Sequence, residues 1–252
     1  TRRSSDLGSL ASNELLRQLL LIVSVVLVLG VLGMPFSIYR QFGLEAKFGF
    51  NRMTPGLFIM DTIKGLILGA LFGLPLIAAV LWLMAEAGTL WWLWAWALLT
   101  VFSLLIQFIY PTLISPLFNK FKPLEDEALA SSILDLAKRC DFTLSGLFVM
   151  DGSKRSAHGN AYFTGFGKAK RIVFFDTLLK QLSPDEMEAV LAHELGHFKH
   201  RHILKMMATS FVVTLLGLAL LGWLSQQMWF YTGLGVMPNL ASTVADAPPP
   251  AN

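Results

Sequence analysis

Residues 19–39 read LLLIVSVVLVLGVLGMPFSIY, an apolar run without one charged side chain. As a helix it is long enough to cross a hydrocarbon layer about 30 Å thick, which takes about 20 residues. The whole first stretch runs from about residue 15 to 39, and three more of its kind follow, at about 63–84, 90–113 and 203–224. The third opens on Trp91, Trp92, Trp94 and Trp96, rings of the kind that collect where membrane meets water. Four such stretches in one chain argue against buried helices of a large soluble core.

Composition agrees. Of the 252 residues 54% are hydrophobic and 15% charged, where soluble domains carry about a quarter charged. A net charge of +3, scattered along the chain, gives no patch for nucleic acid. The lone Cys140 excludes an internal disulfide and a Cys-rich metal site, and reads as a buried structural residue. No cleavable signal peptide opens the chain, which begins on Thr1 and closes on a Pro-rich stretch; an internal fragment of a longer protein is expected.

Charge placement orients the spans. Four spans put residues 40–60 and the long segment after the third span on one side. Seventeen of the twenty Lys and Arg lie on or at that side, with Arg2, Arg3 and Arg17 opposite. By the positive-inside rule, that side is the cytoplasm.

The segment between the third and fourth spans has ordinary soluble character. A helix is expected to open near residues 124–127, with Leu129, Ile133 and Leu136 at helical spacing. Residues 147–150 read as a short strand, and 161–166 with 171–175 as a hairpin. Ser183, Pro184 and Glu186 have the grammar of a capped helix start.

That helix carries His193-Glu194-Leu195-Gly196-His197. Histidines four apart share a helix face, so each can offer a nitrogen about 2.1 Å from one Zn2+. Glu194, beside the first ligand, is placed to take the proton of the water that attacks a peptide carbonyl, and to pass it to the leaving amine. Gly196 leaves room on the helix surface. His200 rises about 10.5 Å along the axis from His193, too far for one zinc to hold all three histidines easily. An extended HExxHxxGxxH motif is excluded, since positions 200 and 203 are His and Ile. No upstream Glu stands out as third ligand, so a Glu beyond residue 252 is expected. His200 and His202 read as solvated or supporting residues, and His158 as a loop histidine. Charged residues flank the motif on both sides, so its helix lies outside the hydrocarbon or lines a watery chamber.

Further residues carry a resemblance. Gly49-Phe50-Asn51 with Thr54, residues 116–121, Ser153-Lys154-Arg155-Ser156, Asn160-Ala161-Tyr162-Phe163, residues 171–178 and residues 193–202 together resemble the integral-membrane type I CAAX prenyl proteases. The resemblance implies a ring of seven membrane helices around a chamber, of which this chain would hold the third to sixth. It implies that His193 and His197 bind zinc, that Glu194 is the base, and that a Glu after the seventh helix completes the metal site. It also makes Asn160, Ala161 and Tyr162 candidates for holding substrate backbone as an added strand.

The expected fold is mainly α: a polytopic α-helical membrane protein with a cytoplasmic zinc-metalloprotease segment of helices plus a small β-hairpin. Residues 1–117 form the membrane region, 118–202 the metalloprotease segment, 203–224 the last membrane helix and 225–252 a loop on the opposite side. The expected activity is zinc-dependent endoproteolysis at the cytoplasmic face, on a peptide or protein substrate, lipidated or not, at the lipid bilayer and without nucleic acid. Short loops favour a bacterial inner membrane. A heat-shock-type membrane metalloprotease is the second enzyme reading, with fewer spans before its motif. A non-catalytic zinc scaffold or transporter is the third; it would have no use for Glu194, and a transporter would carry ionisable residues deep in its spans.

Overall fold

The computed structural model describes residues 2–236 apart from 141, 143, 165–169, 200 and 201, and no side chains for 2–13, 194, 197–199, 202 and 203. Helix α1 (Arg2–Ile38) passes through Pro35 and ends in a π-helical turn, Tyr39–Leu44, and a short α2 (Glu45–Lys47). Helix α3 (Pro55–Glu86) starts on Thr54, whose Oγ1 accepts from the Leu57 amide at 3.2 Å, with Pro55 in the first turn where its missing N–H costs nothing. It therefore begins eight residues before the apolar run that marks it in the sequence. Helix α4 (Trp91–Ile109) continues through a second π-helical turn, Tyr110–Ile114, into α5 (Ser115–Phe118). Pro111 in that turn lacks an amide to donate up the helix.

The soluble segment opens with β1 (Phe121–Pro123) and α6 (Glu127–Arg139), which Asp126 caps by accepting from the Leu129 amide at 2.9 Å. Strands β2 (Gly146–Met150), β3 (Ala161–Thr164) and β4 (Arg171–Phe175) follow, then α7 (Asp176–Gln181) and α8 (Pro184–Lys199). The expected hairpin, β3 with β4, is half of a four-stranded sheet in the order β1-β2-β4-β3. Its centre is a parallel pair, β2 with β4, in the register Phe148 to Val173. Alternation along the strands gives the sheet two different faces. Leu147, Ile172 and Phe174 point to one, into a core with Ile133 and Leu136 of α6, Leu178 of α7, and Met187, Leu191 and Leu195 of α8. Val173, Tyr162 and Phe148 point to the other, toward the end of the third span. Cys140 ends α6 against the edge of this core and is half-buried rather than fully buried.

Helix α9 (His202–Leu224) follows, then a short α10 (Met228–Gly233). Four helical segments are long and apolar enough to cross a bilayer: Glu14–Lys47, Pro55–Glu86, Gly88–Phe118 and Leu204–Leu224. Their outward surfaces keep Phe36 76% and Val31 68% exposed, contiguous apolar surface that only lipid or further helices would cover. The chain is an integral membrane protein. In it α1 packs on α3, α3 on α4, and α4 on α9. The α4–α9 contact is close because Gly222 has no side chain: a Cβ there would lie 2.4 Å from Cδ1 of Trp92. Trp96 ties the same pair, its Nε1–H donating to the Phe211 carbonyl at 2.9 Å.

The start of α8 follows its sequence. The Ser183 amide and hydroxyl donate to Glu186 Oε2 at 2.8 and 2.9 Å, and the Glu186 amide returns to Ser183 Oγ at 3.4 Å. The Ser183 amide first, then its hydroxyl, hold the Glu186 carboxyl below the ordinary carboxylate range. A carboxylate lowered on folding contributes stability above its unfolded value and loses it as pH falls through the folded value. Glu186→Gln is therefore expected to be less stable than wild type at neutral pH and to converge on it in acid. Ser183→Ala is expected to cost about 1 kcal/mol at neutral pH. Thermal unfolding of the full-length protein at both pH values checks the pair.

Candidate active site

Helix α8 is continuous from Pro184 to Lys199, so positions 193 and 197 stand one turn apart on it. Its buried stripe is Met187, Leu191 and Leu195, at 1%, 0% and 3% exposure. Position 193 lies roughly 160° around the helix from Leu191 and Leu195. His193 is accordingly exposed, on the half of α8 turned away from the core. The side chains of Glu194 and His197 lie outside the described residues, as do those of His200 and His202. Among the described residues no three His, Cys, Asp or Glu side chains converge as a metal site. By residue type, two imidazoles at positions one helical turn apart with a carboxyl next to the first are donors a zinc ion accepts, with places left for a further ligand and for water.

Polar contacts beside the leucine stripe hold α8 to α6. Glu188 accepts from Arg139 Nη2 at 2.8 Å and from Ser132 Oγ at 3.1 Å. Arg139 is well exposed, so the ion pair adds under about 1 kcal/mol; the buried leucines do most of the seating.

Strand β3 lies at the edge of the sheet, paired among the described residues with β4 alone. The Phe175 amide donates to the Asn160 carbonyl at 2.9 Å, which makes Asn160 and Phe175 a hydrogen-bonded pair. In an antiparallel ladder such pairs alternate. Given the register of Tyr162 to Val173, the main chain of Tyr162 then points into the sheet. The main chain of Ala161 points outward, and its amide donates to Asn160 Oδ1 at 2.9 Å. The three candidates are thus consecutive residues with different positions: Asn160 just before β3 and beside the outward amide, Ala161 with its main chain at the sheet edge, and Tyr162 on the face toward the third span. There Tyr162 lines an apolar crevice of about 310 Å³ with Phe108, Pro111, Phe148 and Val173. Burial raises its phenol above the ordinary value, and a hydrogen bond with Ser115 partly opposes that.

His158 is an exposed loop residue; its ring stacks on Phe50 with centroids 4.1 Å apart and reaches Glu45 Oε2 at 3.2 Å. Arg155 enters the sequence reading only within the motif that carries the resemblance, without a role. Its guanidinium meets Asp61 of α3, Asn119 Oδ1 and the Phe118 carbonyl. The available signal was Asp61, a carboxylate two turns into a membrane helix, which the apolar run starting at Ile63 had left outside the span.

A helical membrane region leading into a mixed α/β segment whose helix carries HExxH, with His193 exposed, defines a class of membrane-embedded metallopeptidase-like proteins. Residues 3–120 match the family model described as CAAX prenyl protease N-terminal, five membrane helices, and residues 123–246 match Peptidase family M48. The CAAX prenyl protease 1 homolog of Arabidopsis thaliana is 45% identical, over 78% of this chain and 46% of its own length. CAAX prenyl protease 1 of Saccharomyces cerevisiae is 45% identical over 80% and 45%, and the Homo sapiens homolog 35% over 76% and 48%. The crystal structure of S. mikatae Ste24p matches with a TM-score of 0.78 and 43% identity, covering 84% of this chain and 49% of that one. The chain belongs to Peptidase family M48, in its CAAX prenyl protease branch. It spans about half the length of the curated relatives it matches. These relatives are eukaryotic and lend nothing to the bacterial origin expected from the sequence.

Proposed function

We propose that the full-length protein is a zinc-dependent membrane endopeptidase, similar in action to CAAX prenyl proteases, that cuts peptide or protein substrates at the cytoplasmic face. The observation that carries this is the HExxH helix itself. Its leucine stripe is seated in the core, so His193 stands on the exposed half of the helix. His193 and His197 would hold Zn2+, with a third protein ligand from outside residues 1–252. Bound there, zinc supplies a Lewis acid that makes water acidic near pH 7 and polarises a carbonyl. Glu194 accepts the proton from the attacking water and delivers it to the departing amine. Asn160, Ala161 and Tyr162 hold the substrate. An extended peptide pairs along β3 with the outward carbonyl of Ala161, Asn160 Oδ1 engages the amide beside it, and Tyr162 stiffens the strand from behind.

The cytoplasmic assignment rests on Lys and Arg placement, thirteen of the twenty falling in residues 120–205. The substrate class rests on the relatives' names. The chain's own contribution is a site at the membrane boundary, where lipidated chains would present themselves.

Metal removal tests the reading. Full-length protein in liposomes, stripped by a chelator, is expected to stop cutting a farnesylated peptide that ends in Cys and three further residues. One equivalent of zinc should restore cleavage and magnesium should not. A stripped, zinc-free protein that still cuts at the wild-type rate would overturn the metallopeptidase assignment.

A further inference from the structure

The loop from Asp151 to Asn160 joins β2 to the edge strand; Thr177 Oγ1 and Gln181 Nε2 donate to its His158 and Ala157 carbonyls, and five further ties hold it. Asp151 Oδ1 accepts from the Lys120 amide at 2.7 Å. Ser153 donates its amide to Asp176 Oδ1 at 2.7 Å and its hydroxyl to Asp176 Oδ2. The Arg155 carbonyl and the Ala157 amide pair with Arg52 and Phe50 of the loop between the first two spans, at 3.1 and 2.9 Å, and Asn51 bridges Ser156. His158 reaches Glu45. Gly152 permits the tight start: a Cβ there would lie 2.4 Å from Cδ2 of Phe175.

The fifth tie differs from the rest. Arg155 Nε and Nη2 meet Asp61 Oδ2 and Oδ1 at 2.7 and 3.1 Å, Nη1 meets Asn119 Oδ1 at 2.7 Å, and Nη2 also meets the Phe118 carbonyl at 2.7 Å. Arg155 and Asp61 keep only 20% and 15% of their side-chain surface exposed, so removing either partner would strand a charge. Lys64, one turn along α3, donates to the Leu117 carbonyl at 2.8 Å. The two cations thereby satisfy the last carbonyls of α5, where the helix leaves acceptors without partners and its dipole is negative. One guanidinium locks α3, the end of the third span and the loop feeding β3 into a single arrangement. Its planar fork is what lets it grip both Asp61 oxygens while its other edge reaches Asn119 and Phe118; an ammonium has three donors but not that bidentate geometry.

We propose that Arg155 is a positioning residue that fixes the edge strand β3 against the membrane helices, and that this fixed placement sets how tightly peptide pairs with β3. The proposal rests on the reading of β3 as the substrate strand. Arg155 stands six positions before Ala161, the first residue of β3, and the loop has no other ion pair to α3 among the described residues. It is the ion pair through which α3 bears on the placement of the strand.

The test uses R155K, which keeps a cation beside Asp61 and so separates positioning from folding. Full-length zinc-loaded protein is prepared in an E194Q background, so that binding is read without cleavage. The probe is a fluorescent farnesylated peptide ending in Cys and three further residues. R155K is expected to weaken the probe's Kd by about tenfold, since loss of placement at the ångström level is felt at that scale. It is also expected to speed amide exchange about tenfold in residues 50–54 and 156–164, leaving α6 and α8 and the melting temperature unchanged. Unchanged Kd with unchanged exchange overturns the proposal. So does exchange that rises equally in α6 and α8, which would make Arg155 a general stabiliser, and so does faster exchange with an unaltered Kd. If the probe fails to bind even with Arg155 in place, the substrate reading of β3 is what has failed; the positioning proposal falls with it, and the exchange data still report whether the contact holds the loop.

Discussion

Glu194→Gln in the full-length protein is expected to lower kcat by about 10²- to 10⁴-fold while zinc content stays at the wild-type level. Glutamine matches glutamate in shape, and position 194 lies in an uninterrupted helix whose buried partners are Leu191 and Leu195. The substitution therefore leaves the spacing of positions 193 and 197 untouched and removes only the ability to take a proton at that carboxylate. Cleavage of a farnesylated peptide, zinc content by elemental analysis and the melting temperature are measured on the same preparations. Equal zinc with cleavage only in wild type assigns the proton transfer to Glu194. Equal cleavage in both proteins removes Glu194 from the mechanism. Equal zinc with no cleavage in either, across prenylated and unprenylated peptides, favours a scaffold that binds zinc without using it.

What the sequence makes legible is whatever a short window contains. Apolar runs long enough for a bilayer announce the spans, because no soluble solvent would accept them. The capping box at Ser183 and Glu186 and the His193–His197 spacing are local too, and the helix through them is as expected. The hairpin at β3 and β4 is nearly local and was legible in outline. The rest depends on distant partners. Strands β2 and β4 pair in parallel across an intervening loop and β3, with no residue pattern to name the partner. Strand β1 is three residues ending in Pro123, too short to alternate. The start of α3 was misplaced because Thr54 and Pro55 signal a helix boundary whose first turns, from Pro55 to Thr62, are not uniformly apolar. That shift hid Asp61, and with it Arg155, whose three partners lie 36, 37 and 94 residues away in sequence.

Leu191→Ala is expected to cost the folded soluble segment about 2–5 kcal/mol, the range for a fully buried leucine whose space cannot collapse. Leu191 is 0% exposed and sits in one cluster with Met187, Leu195, Ile133, Ile172 and Phe174, each at 3% or less. These side chains come from α6, β4 and α8, so shrinking Leu191 opens a void that no single helix can move to fill without unseating another. The consequence reaches the site, because the leucine stripe is what turns His193 outward. Zinc that binds the folded segment and not the unfolded one should return part of the loss, about 2.7 kcal/mol at a hundredfold excess over its Kd. The variant's melting temperature should therefore rise more steeply with zinc than that of His193→Ala, which keeps the core and loses a ligand. Leu191→Met, nearly equal in volume, should cost less than about 1.5 kcal/mol. If Leu191→Ala costs no more than Leu191→Met, the stripe is not what seats α8. The open face of the HExxH helix would then need another explanation than the packing beneath it.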